Sequence, residues 1–160
     1  MQMLDLIAPR TPQHLSEIRT LFKEYATGLG IDLCFQNFEQ ELRELPGDYQ
    51  KPGGALLLAY YDSQPAGCCA LRPLKSDGLT NAAEMKRLFV RTAFQGKGIG
   101  RQLVLEILRT ARDMRYSSVV LDTLPSMRSA HALYKKLGFI EIQSYYANPI
   151  VGAKYLMLTL

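Results

Sequence analysis

Apolar residues recur at three- and four-residue intervals between residues 11 and 29, at Leu15, Ile18, Leu21, Phe22 and Tyr25. That spacing lines one face of an α-helix. Thr11 before Pro12 marks its start, proline being suited to the first helical position, and Gly28 marks its end. A shorter helix is expected from Asn37, with Gln40 placed to complete a capping box and Phe38, Leu42 and Leu45 as its apolar side. LPGDYQKPGG (45–54) has the composition of a mobile loop.

The pattern then changes to short apolar runs. GALLLAYY (54–61) and PAGCCALRPL (65–74) flank Asp62-Ser63-Gln64, which predicts a hairpin turn, and AAEMKRLFVR (82–91) supplies a third strand. A helix from about Ile99 to Arg115 would bury Leu103, Ile107, Leu108, Ala111 and Met114. SSVVLDT (117–123) predicts a short buried strand. Ser126 is placed to cap a helix ending at Leu137, with Gly138 as its left-handed C-terminal residue. FIEIQSYY (139–146) and AKYLMLTL (153–160) are the last strands. The order α-α-β-β-β-α-β-α-β-β predicts an α/β (mixed α+β) class around a mixed sheet, rather than a regularly alternating doubly wound one.

Composition adds mainly exclusions. The chain has 160 residues, 48% hydrophobic and 21% charged, which suits one domain over 1–160 with a real core. Cys34, Cys68 and Cys69 lack CxxC spacing, and His14 and His131 form no HExxH pattern. Neither a disulfide framework nor a metal site is expected. No apolar run approaches the ~20 residues of a membrane span, and MQMLDLIAPR lacks a signal-peptide layout. A cytoplasmic, metal-free protein without a membrane partner is the expectation.

Net charge is +4, and its distribution says more than its sum. From Lys86 to Arg115 eight basic residues face only Glu106 and Asp113, a surplus of six. From Asp32 to Asp48 five acids face only Arg43, a deficit of four. The basic stretch contains FQGKGIGRQLV (94–104), in which Gly96, Gly98 and Gly100 alternate just before an apolar helical pattern. Glycines let backbone N–H groups close on a ligand, and a helix start adds unsatisfied donors. An anion site results, unless the glycines only make a turn. The Walker pattern is absent, and GxGxxG fails because Arg101 stands where the third glycine belongs. No helix-turn-helix or aromatic-basic interleaving supports a nucleic-acid partner.

Gln95-Gly96-Lys97-Gly98-Ile99-Gly100 resembles the (Q/R)xxGx(G/A) signature of the GNAT acyl-CoA-dependent N-acetyltransferases. It follows a strand of that family's ExxxLxV form, Glu84 to Val90, and SAHALYKKLGF (129–139) is similar to its AxxLYxxLGF segment through Ala130, Leu133, Tyr134, Leu137, Gly138 and Phe139. The resemblance implies a GNAT-like fold, a central mixed, mostly antiparallel sheet with splayed strands and helices on both faces. It also implies acetyl-CoA as acyl donor, no metal, and direct transfer to a primary amine in a ternary complex. The non-catalytic alternative is an acyl-CoA-binding or sensing module. Backbone groups of Leu88, Phe89 and Val90 would pair with the pantetheine arm, and residues Gln95, Gly96, Lys97, Gly98, Ile99, Gly100 and Arg101 would take the pyrophosphate. Ala130 belongs to the same site, and Lys136 would reach the adenosine 3′-phosphate. Met127 replaces an asparagine common in the family. A homodimer through the last strands is the family-based expectation.

Acyl transfer to an amine needs a proton acceptor, because an alkylammonium has a pKa of roughly 10. It also needs a donor for the developing oxyanion, for which a backbone N–H of Leu88–Val90 is the candidate, and a proton for the leaving thiolate. By resemblance Glu84 is the candidate base, directly or through a water, and Tyr134 the candidate acid. The alternatives are that Glu84 is a cross-strand partner for a basic residue and that Tyr134 is simply core. Tyr145 and Tyr146 are candidates for the acceptor wall. The acidic 32–48 region, with Phe35, Phe38 and Tyr49 as apolar surface, leads to an expected cationic acceptor, such as a small amine or a lysine side chain.

Overall fold

The computed structural model describes residues 3–30, 32, 33, 37–76 and 78–160; Cys34 and Phe35 lie outside the described residues. The first element is a strand that the periodicity did not indicate, β1 (Leu4–Ile7), paired antiparallel with the second strand. Four residues are too few to show a period, and only the partner strand defines it. Helix α1 (Pro12–Leu29) begins as expected, the Thr11 hydroxyl accepting from the His14 N–H at 3.1 Å, and runs to a left-handed Gly30.

Helix α2 (Phe38–Glu44) starts after Asn37, but the capping box does not form. Asn37 has φ 55, outside the extended region a side-chain cap requires, and Gln40 donates to Glu44 instead. The segment expected to be a mobile loop contains a 3-10 turn, Gly47–Tyr49. Its Leu45 and Tyr49 are buried, with Tyr49 edge-on to Phe22 at 6.2 Å.

Strands β2 (Ala55–Tyr61) and β3 (Gln64–Pro73) are joined by Asp62 and Ser63, both at positive φ, so Gln64 belongs to the strand rather than the turn. Then come β4 (Ala82–Val90), a 3-10 turn at Thr92–Phe94, α3 (Ile99–Asp113) and β5 (Ser118–Thr123). Helix α4 (Arg128–Leu137) starts after Met127 without a side-chain cap, so Ser126 is not its N-cap; Gly138 ends it at φ 97. The predicted strand 139–146 shortens to β6 (Ile140–Ile142), and β7 (Lys154–Thr159) closes the chain.

The seven strands form one sheet in the order β1-β2-β3-β4-β5-β7-β6, antiparallel throughout except between β4 and β5. α3 and α4 cover one face, where Leu103, Ile107 and Ala111 meet Leu71, Met85 and Val119. α1 covers the other, packing Ile18, Leu21 and Phe22 on Leu56, Leu58 and Ala70. The adjacent thiols Cys68 and Cys69 therefore enter opposite cores, as strand alternation requires. Among the described residues no helix is long and apolar enough to cross a membrane.

Two irregularities in β4 open the sheet on its β5 side. Its parallel pairing with β5 covers only Ala82–Glu84, so beyond Glu84 it has no partner on that side. Its pairing with β3 shifts register near Arg87, which has φ 61. A β-bulge of this kind re-aims side chains: Lys86 and Arg87 both reach the α1 side of the sheet.

Candidate active site

The opening between β4 and β5 is continued by the glycine loop and the start of α4 into a cleft of about 610 Å³. Leu88, Phe89, Val90, Gln95, Gly96, Gly98, Ile99, Gly100 and Ala130 all line it. Gly96 and Gly98 take φ 80 and φ 78, conformations that favour glycine, and Gly98 is the residue preceding α3. The first N–H groups of α3 have no intrahelical partner. The Gln95 side chain donates to the Val90 carbonyl and ties the loop to β4. A free strand edge beside a row of amides at a helix start fits a ligand with both amide groups and an anionic end, and coenzyme A has both.

Lys97, Arg101 and Lys136 are exposed and do not line this cleft. The Lys97 ammonium lies over the Tyr61 ring at 5.3 Å. Arg109 pairs with Glu106 and Asp113 on the outer face of α3, an ordinary solvated arrangement. Met127 lines the cleft, and its sulfur accepts from the Thr123 hydroxyl at 3.7 Å.

A much smaller space of about 20 Å³, a throat, borders this cleft. Tyr25, Leu88 and Met127 line both, and Asp122 and Tyr134 line the throat. Tyr134 is 3% exposed, with its ring against Phe139. Burial, helped by the Asp122 charge, pushes its phenol well above the ordinary range, so it stays protonated and can donate.

Beyond the throat lies a pocket of about 300 Å³, and Lys86 lines both spaces. Its wall carries Arg72, Lys75, Glu84, Tyr145 and Tyr146. Glu84, with its side chain 4% exposed, accepts from Arg72 Nε at 2.9 Å and from the Tyr145 hydroxyl at 2.8 Å. The cross-strand basic partner weighed from the sequence is thus present. The Lys86 ammonium stands 3.9 Å from Glu84 and 3.4 Å from Asp122. Burial lowers its pKa, against the opposing pull of the two carboxylates. Asp122 also accepts from the Tyr146 hydroxyl and from Asn148. A polar network therefore joins β3, β4, β5 and the β6–β7 loop over the opening in the sheet.

The acidic run 32–48 is distributed differently from the sequence expectation. Glu41 makes two hydrogen bonds to Arg87, at 3.0 and 3.1 Å. Glu39 and Glu44 are exposed, and of the run's acids only Asp48 lines the 300 Å³ pocket, where it pairs with Lys75. Phe38 lies under the Arg87 guanidinium, and Tyr49 belongs to the core. Pattern reading missed Arg72, Lys86 and Asp122 as pocket residues. The available signal was a charged residue inside an otherwise apolar strand, Asp122 after VVL and Lys86 two residues after Glu84.

Comparison with known proteins agrees with this fold. The model of the acetyltransferase (GNAT) family matches residues 15–139. An uncharacterised N-acetyltransferase of Schizosaccharomyces pombe is 38% identical over 156 residues, covering 97% of this chain and 94% of its own. One from Escherichia coli, YjgM, is 30% identical over 125 residues, covering 78% and 73%. Among solved structures, a GNAT-family acetyltransferase of Staphylococcus aureus superposes with a TM-score of 0.79 at 19% identity, covering 98% of this chain and 99% of its own. PaiA N-acetyltransferase from Thermoplasma acidophilum, solved in complex with coenzyme A, gives 0.72 at 16% identity, with 99% of each chain covered. With its splayed β4 and β5, its glycine loop at the start of α3 and this family match, the chain belongs to the GNAT family of acetyltransferases and is an acyltransferase.

Proposed function

We propose that this chain, acting as one domain, moves an acetyl group from acetyl-CoA directly to a compact primary amine held in the 300 Å³ pocket. The observation that carries the reading is the shared lining of three neighbouring spaces, Tyr25, Leu88 and Met127 bordering both the glycine-lined cleft and the throat, and Lys86 bordering both the throat and that pocket. The free edge of Leu88–Val90 binds the pantetheine arm, and one of its N–H groups meets the charge developing on the carbonyl oxygen. The amides of residues 95–101 hold the pyrophosphate, with Lys97 and Arg101 adding charge at the rim and Lys136 serving the adenosine 3′-phosphate. Tyr134 donates a proton to the leaving sulfur. Glu84 draws the proton of the incoming ammonium away through intervening groups. Asp48 and Glu84 are the pocket's carboxylates, but they are paired with Lys75 and Arg72. Lys86 makes a third basic side chain on the wall, so the lining itself gives the expected cationic acceptor no surplus of negative charge.

Calorimetric titration with acetyl-CoA, with ATP and NAD as controls, followed by an amine acetylation assay, tests this. Selective acetyl-CoA binding with turnover is expected. Binding without turnover would indicate the non-catalytic module, and no binding would end the assignment. Gly98→Ala is expected to weaken acetyl-CoA binding by about tenfold, because an L-residue held left-handed costs roughly 1–2 kcal/mol and the loop will relax. A Cβ there meets nothing within 4 Å, so backbone conformation alone is being read.

A further inference from the structure

The throat contains a carboxylate that the family resemblance did not assign. We propose that Asp122 is the group that takes the proton from the acceptor's ammonium. This rests on the acetyl-transfer reading above and names the first proton acceptor within it.

Three observations carry the proposal. Leu88 borders both the cofactor cleft and the throat, and Lys86 borders both the throat and the acceptor pocket, so the throat lies at the junction of the two binding spaces. Of the carboxylates among the described residues, Asp122 lines that throat, whereas Glu84 lines the acceptor pocket. Register then explains its place. Glu84↔Val120 is the last parallel pair, and Lys86 and Asp122 each lie two residues beyond it, so their side chains meet over the opening. The Tyr146 hydroxyl and Asn148 hold one carboxylate oxygen, Lys86 approaches the other, and the side chain is 10% exposed.

Charged and titratable groups approach Asp122 from each packed element. These are Lys86 from β4, whose ammonium Glu84 also approaches and beside which Arg87 lines the throat, Tyr134 from α4, Tyr25 from α1, Tyr155 from β7, and Tyr145 and Tyr146 from the loop before it. Burial, with the Asp122 charge adding to it, raises all five tyrosines, which stay phenolic near neutrality.

The step balances. The ammonium gives one proton to the Asp122 carboxylate, and the freed nitrogen pair forms the C–N bond. The C–S bond breaks with its electron pair going to sulfur. Sulfur takes the Tyr134 proton, and the second nitrogen proton restores the phenol. The proton on Asp122 leaves past Lys86 and Glu84 to water in the acceptor pocket. An ammonium and a thioester become an amide, a thiol and one released proton.

A proton acceptor matters only for an amine that arrives protonated, so the test varies the amine. Wild type, Asp122→Asn, Glu84→Gln and Lys86→Met are assayed at pH 7 with primary amines whose pKa runs from about 10, as for a lysine side chain, to below about 6, as for a fluorinated alkylamine. Asp122→Asn is expected to lower kcat/KM for the basic amine by about a hundredfold or more, and for the weakly basic one by less than about threefold. The loss for the basic amine should shrink as pH rises toward its pKa. Equal losses for both amines would overturn the proposal, since a structural defect does not read amine basicity. The same selectivity appearing in Lys86→Met or Glu84→Gln but not in Asp122→Asn would also overturn it. Should Asp122→Asn not fold, Tyr146→Phe removes one of its donors and should show a smaller loss confined to the basic amine; a uniform loss counts against the proposal. Acetyl-CoA titration of each variant, and turnover by wild type, separate these outcomes from failure of the acetyl-transfer reading itself.

Discussion

Arg87→Met is expected to lower the free energy of unfolding by roughly 3–5 kcal/mol, the usual cost of leaving one member of a buried ion pair without its partner. The Arg87 side chain is 1% exposed and that of Glu41 is 10% exposed. Two hydrogen bonds join them, and the guanidinium stacks between Tyr25 at 5.7 Å and Phe38 at 5.1 Å. One side chain on the β4 bulge thus fastens both α1 and α2 to the sheet. Methionine keeps much of the volume but leaves the Glu41 carboxylate buried beside an apolar neighbour. Urea denaturation measures the loss, and Arg87→Met/Glu41→Gln should recover part of it by removing the stranded charge. A single mutant within about 1 kcal/mol of wild type would show that Glu41 is not left as an uncompensated buried charge when Arg87 is removed. Because Arg87 also lines the throat, turnover should fall in samples that remain folded.

Tyr134→Phe separates the two readings of that ring. The ring is core, packed against Phe139 at 5.4 Å between centroids, and phenylalanine keeps it. Stability should therefore change by less than about 1 kcal/mol. If the hydroxyl serves the leaving sulfur, kcat should fall by about a hundredfold while acetyl-CoA affinity is kept, the size expected for loss of a general acid. Unchanged kcat would return Tyr134 to the core alone. The pH dependence has a definite sign. Burial raises this phenol above its ordinary value near ~10, so its acid form persists through neutral pH. Wild type should then show no alkaline loss of kcat from this group below about pH 10.

Regions that were legible in the sequence share a physical character: their structure is decided by neighbours along the chain. Thr11 caps α1 because the N–H it satisfies is three residues away. Gly98 precedes α3, and Gly138 ends α4, because each must take a positive φ. The spacing of Ala130, Leu133, Tyr134 and Leu137 needs only the helix period, and all four pack on one core. Where a short-range signal competed with packing, the reading failed. Asn37 had the right identity for a cap but takes φ 55. QSYY extended the apolar run of β6, yet Tyr145 and Tyr146 leave the sheet because Glu84 and Asp122 accept from their hydroxyls.

Local sequence was enough for the element order from α1 onward, for the glycine-loop cleft and, through the family resemblance, for the ligand and the chemistry expected there. Those properties depend on backbone conformation at single residues and on periods of a few positions. Which charges meet was settled only by the packed fold. Glu41 lies 46 positions from Arg87, Arg72 lies 12 from Glu84, and Lys86 lies 36 from Asp122. Acids that looked like an acceptor-binding surface are partly taken up by structural pairs, and a strand aspartate whose only local signal was its charge after an apolar run stands where the sheet opens. Burial makes such pairings obligatory, because a charge removed from water must find a partner. Which partner it finds is set by strand register and by the bulge at Arg87, and neither is written in the spacing of residues along one segment.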